Sequence, residues 1–590
     1  MRLPSVLLAA LVLVPSAMAL GPSLEGPDAG GAVARAQAAL DAGAWLGKNP
    51  RGWIAWGQAQ FAAAPGALAT APLPDAVEHL YATLGLVPTG AQRADLAARA
   101  ALLDPALARA FGGLVAAFDR VYRAQGDVVA ALDWDALGRD PMEARPLLPQ
   151  VAAAAGAANA DALLGAVRAF RAMVEPLPPQ ARAVPFADPL GVVKLGSTAD
   201  ETFVADGAFR DPALLVDLGG NDLDLTSAGG ACPDATNANG IMLCNGLAAA
   251  LRVDLGGDDT YLFTRPHEVA QGAGGVGGLG VLVDAVGSDT YTVTQATLFS
   301  PTIAGVSLNY HTSVAQGSGE AGIGVLLDLA GDDHYAFTMT SDAPTNWEQG
   351  QGFAGLGGLG ALLDATGDDH YAGVVDCPNA RRYWCGVYIQ GTAIYPGVAL
   401  LLDAAGNDAY NGLVVAPQED YYSQGFAAFG GLGLQVDLLG DDAYFESARS
   451  HGPGTFGVSL NCAYGSAFYG GAFAAFLDVA GDDSYVSETI DFVQHPSTMS
   501  EGFSFAAVSL FWDVSGADHH EMRSLGNNPV IAGRGTGMEL LDTFAVYLDT
   551  GGTDTYADTP ASQTIGANDD VWPSAAGLGV DVDVVPSLGL

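Results

Sequence analysis

A pattern DxxGxDxY recurs ten times between Asp217 and Tyr556, at spacings of 30 to 44 residues. A unit of this length, repeated down most of a chain, restricts the fold to a solenoid, a propeller or an array of small modules. The repeat also allows positions to be compared within one sequence. The lead residues are Asp217, Asp254, Asp284, Asp328, Asp364, Asp403, Asp437, Asp478, Asp513 and Asp549. Three residues after each stands a glycine: Gly220, Gly257, Gly287, Gly331, Gly367, Gly406, Gly440, Gly481, Gly516 and Gly552. An invariant glycine marks a bend that a Cβ would obstruct. Five after the lead comes a second aspartate: Asp222, Asp259, Asp289, Asp333, Asp369, Asp408, Asp442, Asp483, Asp518 and Asp554. Tyrosine follows at the seventh position in eight copies, replaced by Asp224 in the first and His520 in the ninth.

The residue before each lead aspartate is large and apolar, from Val216 and Val253 to Trp512 and Leu548, while the residue before that includes Arg252 and Gln435. Period two predicts a strand running into the turn, with the Val253-type positions inward. The lead aspartates share parity with Arg252 and Gln435 and are therefore expected to face out. A glutamine, usually followed by glycine, precedes the next lead by 12 or 13 residues at Gln271, Gln316, Gln351, Gln390 and Gln424. Length varies only between the tyrosine and this glutamine. A constant coil with one elastic loop predicts a parallel β-helix, right-handed and of about ten coils; a β-propeller is the alternative. Partial copies at Gly196 to Phe203 and Gly577 to Asp583 are expected of the ends of a stack.

Charge divides the chain. Residues 20–195 carry 14 basic and 16 acidic side chains, and residues 196–590 carry 8 and 50. The first part is rich in Ala, Leu and Arg, and its apolar residues recur at helical spacing, as in Leu103, Leu107, Phe111, Leu114 and Phe118. A helical bundle capping or attaching the first coil is expected, which makes the whole an α+β multidomain chain. The acidic second part argues against nucleic acid and anionic membrane, and for cations, a basic partner or solubility in a salty medium. Residues 1–19 have the layout of a secretory signal peptide ending at Ala17-Met18-Ala19, and no apolar run of spanning length follows. A secreted, periplasmic or cell-surface location is expected. Asp133, Asp135 and Asp140 start like an EF-hand loop, but Leu137 and a misplaced glycine make a helix boundary the better reading.

Cys232 and Cys244 bracket one polar segment and Cys377 and Cys385 another, spacings that suit loop-stapling disulfides in an oxidising compartment better than zinc. Cys462 is left over.

Equivalent residues of successive coils lie about 4.8 Å apart, so bare carboxylates in file repel by roughly 1 kcal/mol in water and by several at an effective dielectric near 20. Three arrangements relieve this: calcium held by oxygen-rich turns, Asx motifs that accept turn N–H groups, or a catalytic groove. Asn or Asp at the fourth position in seven copies supplies a further oxygen. The segment GDDTY at Gly257 to Tyr261, with GDDHY at Gly331 and Gly367 and GNDAY at Gly406, resembles half of the RTX nonapeptide GGxGxDxU of secreted calcium-binding β-rolls. The whole unit also resembles secreted prokaryotic proteins with similar glycine-rich repeats. The RTX resemblance implies calcium at Asp259 and its equivalents. The calcium-ligand candidates are thus the paired aspartates of nine copies, Asp217/Asp222 through Asp478/Asp483 and Asp549/Asp554.

HExxH, GxSxG and phosphate-loop motifs are absent from the sequence. The best catalytic cluster, WDVSGADHHEM at Trp512, is the ninth repeat with His520 in the tyrosine slot. The expected function is a non-enzymatic, cation-stabilised scaffold or adhesion module whose variable loops meet an extracellular protein or glycan. A β-helix polysaccharide lyase or hydrolase is the alternative.

Overall fold

A computed structural model describes residues 49–582 apart from 132–147 and shorter intervals, chief among them 234–244, 308–313, 377–384, 451–459 and 560–566. The expected signal peptide and the Asp133 to Asp140 segment lie outside the described residues.

The repeats form a solenoid of stacked parallel strands. One coil shows the plan: Ile323–Leu327 lies in the first sheet and His334–Thr340 in the second, joined by the corner Asp328 to Asp333. Asn346–Gln349 and Ala354–Gly355 lie in the third and fourth sheets, and Leu359–Asp364 begins the next coil. The four sheets hold 14, 11, 6 and 7 strands in that order. Successive lead strands pair parallel and in register, with Asp364 opposite Asp403 and Asp403 opposite Asp437. This pairing excludes the propeller, whose blades are built from antiparallel strands. Short antiparallel partners, Phe186–Ala187 and Val571–Ser574, lie on the two outermost parallel strands of the first sheet and take up edges that would otherwise recruit another chain.

The lead glycines behave as expected, for a reason that is mostly spacing between coils. A Cβ on Gly367 would overlap the carbonyl oxygen of Gly331, its counterpart one coil back. Only Gly220, Gly257, Gly287 and Gly552 also need a positive φ.

The helices are α1 (Pro50–Ala62), α2 (Leu73–Thr83), α3 (Gly90–Ala100), α4 (Pro105–Ala131) and α5 (Leu148–Val174). They are not a bundle with a core of its own, nor a lid on the end of the stack. They lie along the outer face of the first sheet, and Phe111, Leu114 and Phe170 share one apolar core with Val253, Val283, Leu327 and Leu363. Gly57 of α1 sits so close that a Cβ would be 2.8 Å from Leu402. In α4, Gln125 Nε2 donates to the Gly277 carbonyl (2.7 Å) and Tyr122 Oη accepts the Ala248 N–H (3.2 Å).

This placement inverts the expected direction of the strands. The Val253-type residues face the helices, while the alternate residues, Leu282, Leu326, Leu362 and Leu401, fill the solenoid interior beside the tyrosines. Both faces of the first sheet are buried, as is usual for parallel sheets, so alternation of apolar residues cannot say which face is the lumen. Arg252 and Gln435 are correspondingly interior and fully buried, not solvent-facing.

Candidate functional site: a buried aspartate and tyrosine file

Because the lead aspartates share the inward parity, they enter the solenoid core, and all ten are buried with 0 % exposure. The expectation that they face out is therefore wrong. What makes burial tolerable is a set of bonds that repeats at every coil.

Each tyrosine donates its O–H to the lead carboxylate of the following coil. Tyr261 reaches Asp284 Oδ2 at 2.7 Å, Tyr335 reaches Asp364 at 2.6 Å and Tyr410 reaches Asp437 at 2.8 Å. The rings stack face to face from Tyr261 to Tyr485 with centroids 4.7 to 5.0 Å apart. The strand spacing sets this distance, and it places every phenol over the next. Four lead carboxylates, Asp217, Asp254, Asp328 and Asp403, also accept the N–H two residues on, as Asp254 Oδ1 does from Gly256 (3.1 Å), which is the expected Asx turn.

The second aspartates point inward as well. Asp259 Oδ1 accepts the N–H of Asp222 one coil back, Asp289 that of Asp259, and Asp333 that of Asp289, all at 2.6 Å. This ladder continues through Asp369, Asp408, Asp442, Asp483 and Asp518 to Asp554. The fourth-position residues make an outer ladder in the opposite sense: Asp332 Oδ1 accepts the Asp368 N–H (3.1 Å), and Asp368 Oδ1 that of Asn407 (2.9 Å). Their extra oxygen is thus spent on the backbone of the next coil.

Groups of three carboxylates, such as Asp284, Asp289 and Asp328, bring oxygens within 4.8 Å of one another and could hold a metal ion. The fit to calcium can be tested oxygen by oxygen. Asp284 Oδ2 accepts Tyr261 O–H, Asp289 Oδ1 accepts Asp259 N–H, and the two oxygens of Asp328 accept Ala330 N–H and Tyr291 O–H. Asp284 Oδ1 and Asp289 Oδ2 have no such partner, and these two carboxyls face each other within one coil. Calcium takes six to eight oxygens. With two free oxygens in this coil, and one in coils whose lead carboxylate also accepts a turn N–H, as Asp328 does, calcium does not fit unless the N–H and O–H bonds are given up, whereas a single shared proton fits as the coil stands.

The electrostatics agree with a proton. Burial, reinforced by the neighbouring carboxylates Asp328 and Asp364, pushes Asp333 up to about 11, and burial with Asp364 beside it pushes Asp369 up to about 10. Burial raises Asp483 to about 11, and Asp518 only to about 7 because His520 works against the rise.

The two irregular copies obey the same physics. In the first, Asp224 replaces the tyrosine, and the buried Arg252 guanidinium fills the gap, 2.9 Å from Asp224 and 2.8 Å from Asp254, between the Phe203 and Tyr261 rings. In the ninth, His520 Nε2 lies 3.0 Å from Asp549 Oδ2, and its ring stacks between Tyr485 and Tyr556. The cluster at Trp512 divides in two: Asp513, Asp518 and His520 are buried with ligand atoms within 4.8 Å of one another, like the carboxylate groups of the other coils, whereas His519 and Glu521 lie outside with Arg523.

The recurrent glutamines hold the opposite corner. Gln351 has φ +50°, and its Nε2 donates to the Tyr335 (3.1 Å) and Ala372 (3.2 Å) carbonyls, tying the third corner to the second sheet. The tyrosine hydroxyl as partner of the aspartates escaped the sequence reading. Its signal was present, because the seventh position shares parity with the fifth and is seldom anything but tyrosine.

Cys232 is buried with Val269, Ala273 and Val314, and its sulfur is disulfide-bonded. Cys244 and Cys377 lie outside the described residues, as do the side chains of Cys385 and Cys462, so the expected pairings are not placed. No described helix is long and apolar enough to cross a membrane.

No protein family, curated protein or solved structure matches this chain.

Proposed function

We propose that this chain is a non-enzymatic scaffold, secreted or held in the cell envelope, whose rigid solenoid presents its variable loops to an extracellular protein or glycan. The observation that carries this reading is uniformity. The same buried bonds among two aspartates and a tyrosine recur coil after coil, and the departures at Asp224 and His520 are repaired from within the file. An active site concentrates unusual groups at one place. Two clefts of about 350 and 260 Å³ lie among the helices and away from the file.

In this reading the repulsion between the two carboxyls of each coil is relieved by a cation held between them, and the unpartnered oxygens favour a proton over the calcium that the RTX resemblance implies. Thermal melting of the purified chain in EDTA and in millimolar calcium, each at acid and alkaline pH, separates the two. A transition that moves with pH and ignores calcium is expected; one that rises several degrees with calcium and collapses in EDTA restores calcium. Screening against acidic glycans tests the scaffold itself. Turnover abolished by Asp513→Ala or His520→Ala in a variant that still folds would replace the scaffold by a polysaccharide-acting enzyme.

A further inference from the structure

On the outer face of the second sheet, His334 and His370 stand in register on adjacent parallel strands, flanked by Thr290 on one side and Ala409 on the other. Both are half-buried and reachable from solvent. Their rings stack with centroids 4.7 Å apart and planes 29° from parallel, yet their Nδ1 atoms approach to 2.8 Å. The rings are offset so that these two nitrogens converge. Burial holds both imidazoles below their usual range, with His334 adding to the effect at His370, a direction that favours the neutral rings a metal requires.

The geometry points to a site for a divalent transition metal of tetragonal preference, copper(II) or nickel(II), bridged by His334 Nδ1 and His370 Nδ1. An ion about 2.0 Å from each of two nitrogens 2.8 Å apart sees them at an angle of about 90°. Adjacent positions of a square-planar or octahedral ion require that angle. A tetrahedral zinc would need the nitrogens about 3.3 Å apart. Water completes the coordination on the open side.

The outer nitrogen is provided for as well. His370 Nε2 lies 2.8 Å from the Asn411 side-chain amide. Without metal, one Nδ1–H donates to the other ring and the amide N–H donates to His370 Nε2. With metal, the His370 proton resides on Nε2 and donates to the Asn411 oxygen after the amide turns over, an orienting bond of the kind that fixes ligating imidazoles. No proton is gained or lost in the exchange. This site is separate from the aspartate file, and its success or failure leaves the scaffold reading untouched.

The test uses the full chain, stripped with EDTA and dialysed, then titrated with copper(II) chloride and with nickel(II) at pH 7.5 by calorimetry, with electron paramagnetic resonance of the copper form. One equivalent with two nitrogen donors is expected for copper, and one equivalent of nickel at the same site. His334→Ala and His370→Gln should each weaken binding by at least about tenfold, and Asn411→Ala by about tenfold. His519→Ala, on the same face, should leave it unchanged. Copper binding that survives the His334→Ala/His370→Gln double variant, in protein whose circular dichroism is unaltered, overturns the site. So does a resonance signal without nitrogen coupling.

Discussion

Replacing Asp369 by asparagine separates a proton-bridged carboxyl pair from every other account of the file. Asp369 Oδ1 accepts the Asp333 N–H at 2.6 Å, while its other oxygen faces Asp364, whose Oδ2 accepts Tyr335 O–H. Asparagine keeps the acceptor and places a permanent N–H donor where the shared proton sits. The sign follows from linkage. Burial and Asp364 raise Asp369 to about 10, above the ordinary carboxylate range that the unfolded chain has. The native state therefore holds a proton that the unfolded chain releases above about pH 4. Its contribution to stability is complete below that point and is lost as pH rises toward the folded value. The loss is about 1.4 kcal/mol per pH unit, or about 4 kcal/mol between pH 5 and 8 as an upper figure for this coil. Asp369→Asn does not titrate and escapes that loss. Urea unfolding followed by far-ultraviolet circular dichroism, on wild type, Asp369→Asn and Asp369→Ala, reads the difference. Asparagine should be near neutral at pH 5 and stabilising at pH 8, with alanine destabilising at both. An asparagine variant as weak as alanine at pH 8 would refute the shared proton.

Four other outcomes follow from the same geometry. Tyr335→Phe keeps the ring stack but strips Asp364 of its 2.6 Å donor, and should cost about 1–3 kcal/mol by urea titration. Gly367→Ala forces a Cβ onto the Gly331 carbonyl oxygen and should cost at least about 3 kcal/mol or prevent soluble expression; an alanine chain of wild-type stability would show that the coils can part locally. Arg252→Met leaves Asp224 and Asp254 buried without their cation, at a cost of about 3–5 kcal/mol, and adding Asp224→Tyr should recover most of it by extending the tyrosine file, as a double-mutant cycle would reveal. The whole chain should need more urea to unfold at pH 5 than at pH 9, because Asp259 at about 9 and Asp333 at about 11 both favour the protonated native form.

The coil, its length and its corner were legible in the ten repeats. Glycine three after each lead aspartate stands where successive turns come too close for a Cβ, a constraint that acts locally and leaves its mark at a fixed offset. Tyrosine at the seventh position and glutamine before the next lead likewise mark bonds that recur from coil to coil wherever those residues stand. The direction of the side chains was not legible. Alternation along Leu359–Asp364 divides its residues into two sets but does not label the lumen, and here both sets are apolar because helices cover the outside. Arg252 and Gln435 looked like markers of the solvent face because isolated polar side chains usually are. Only the neighbouring coils show that Arg252 is interior, since its partners Asp224 and Asp254 are brought to it by the stacking. The sequence by itself determined a repeating coil with two carboxyls and a phenol at each corner. The tertiary structure decided that those groups face one another in the dark of the core, where desolvation turns a row of surface charges into hydrogen-bonded pairs that keep a proton.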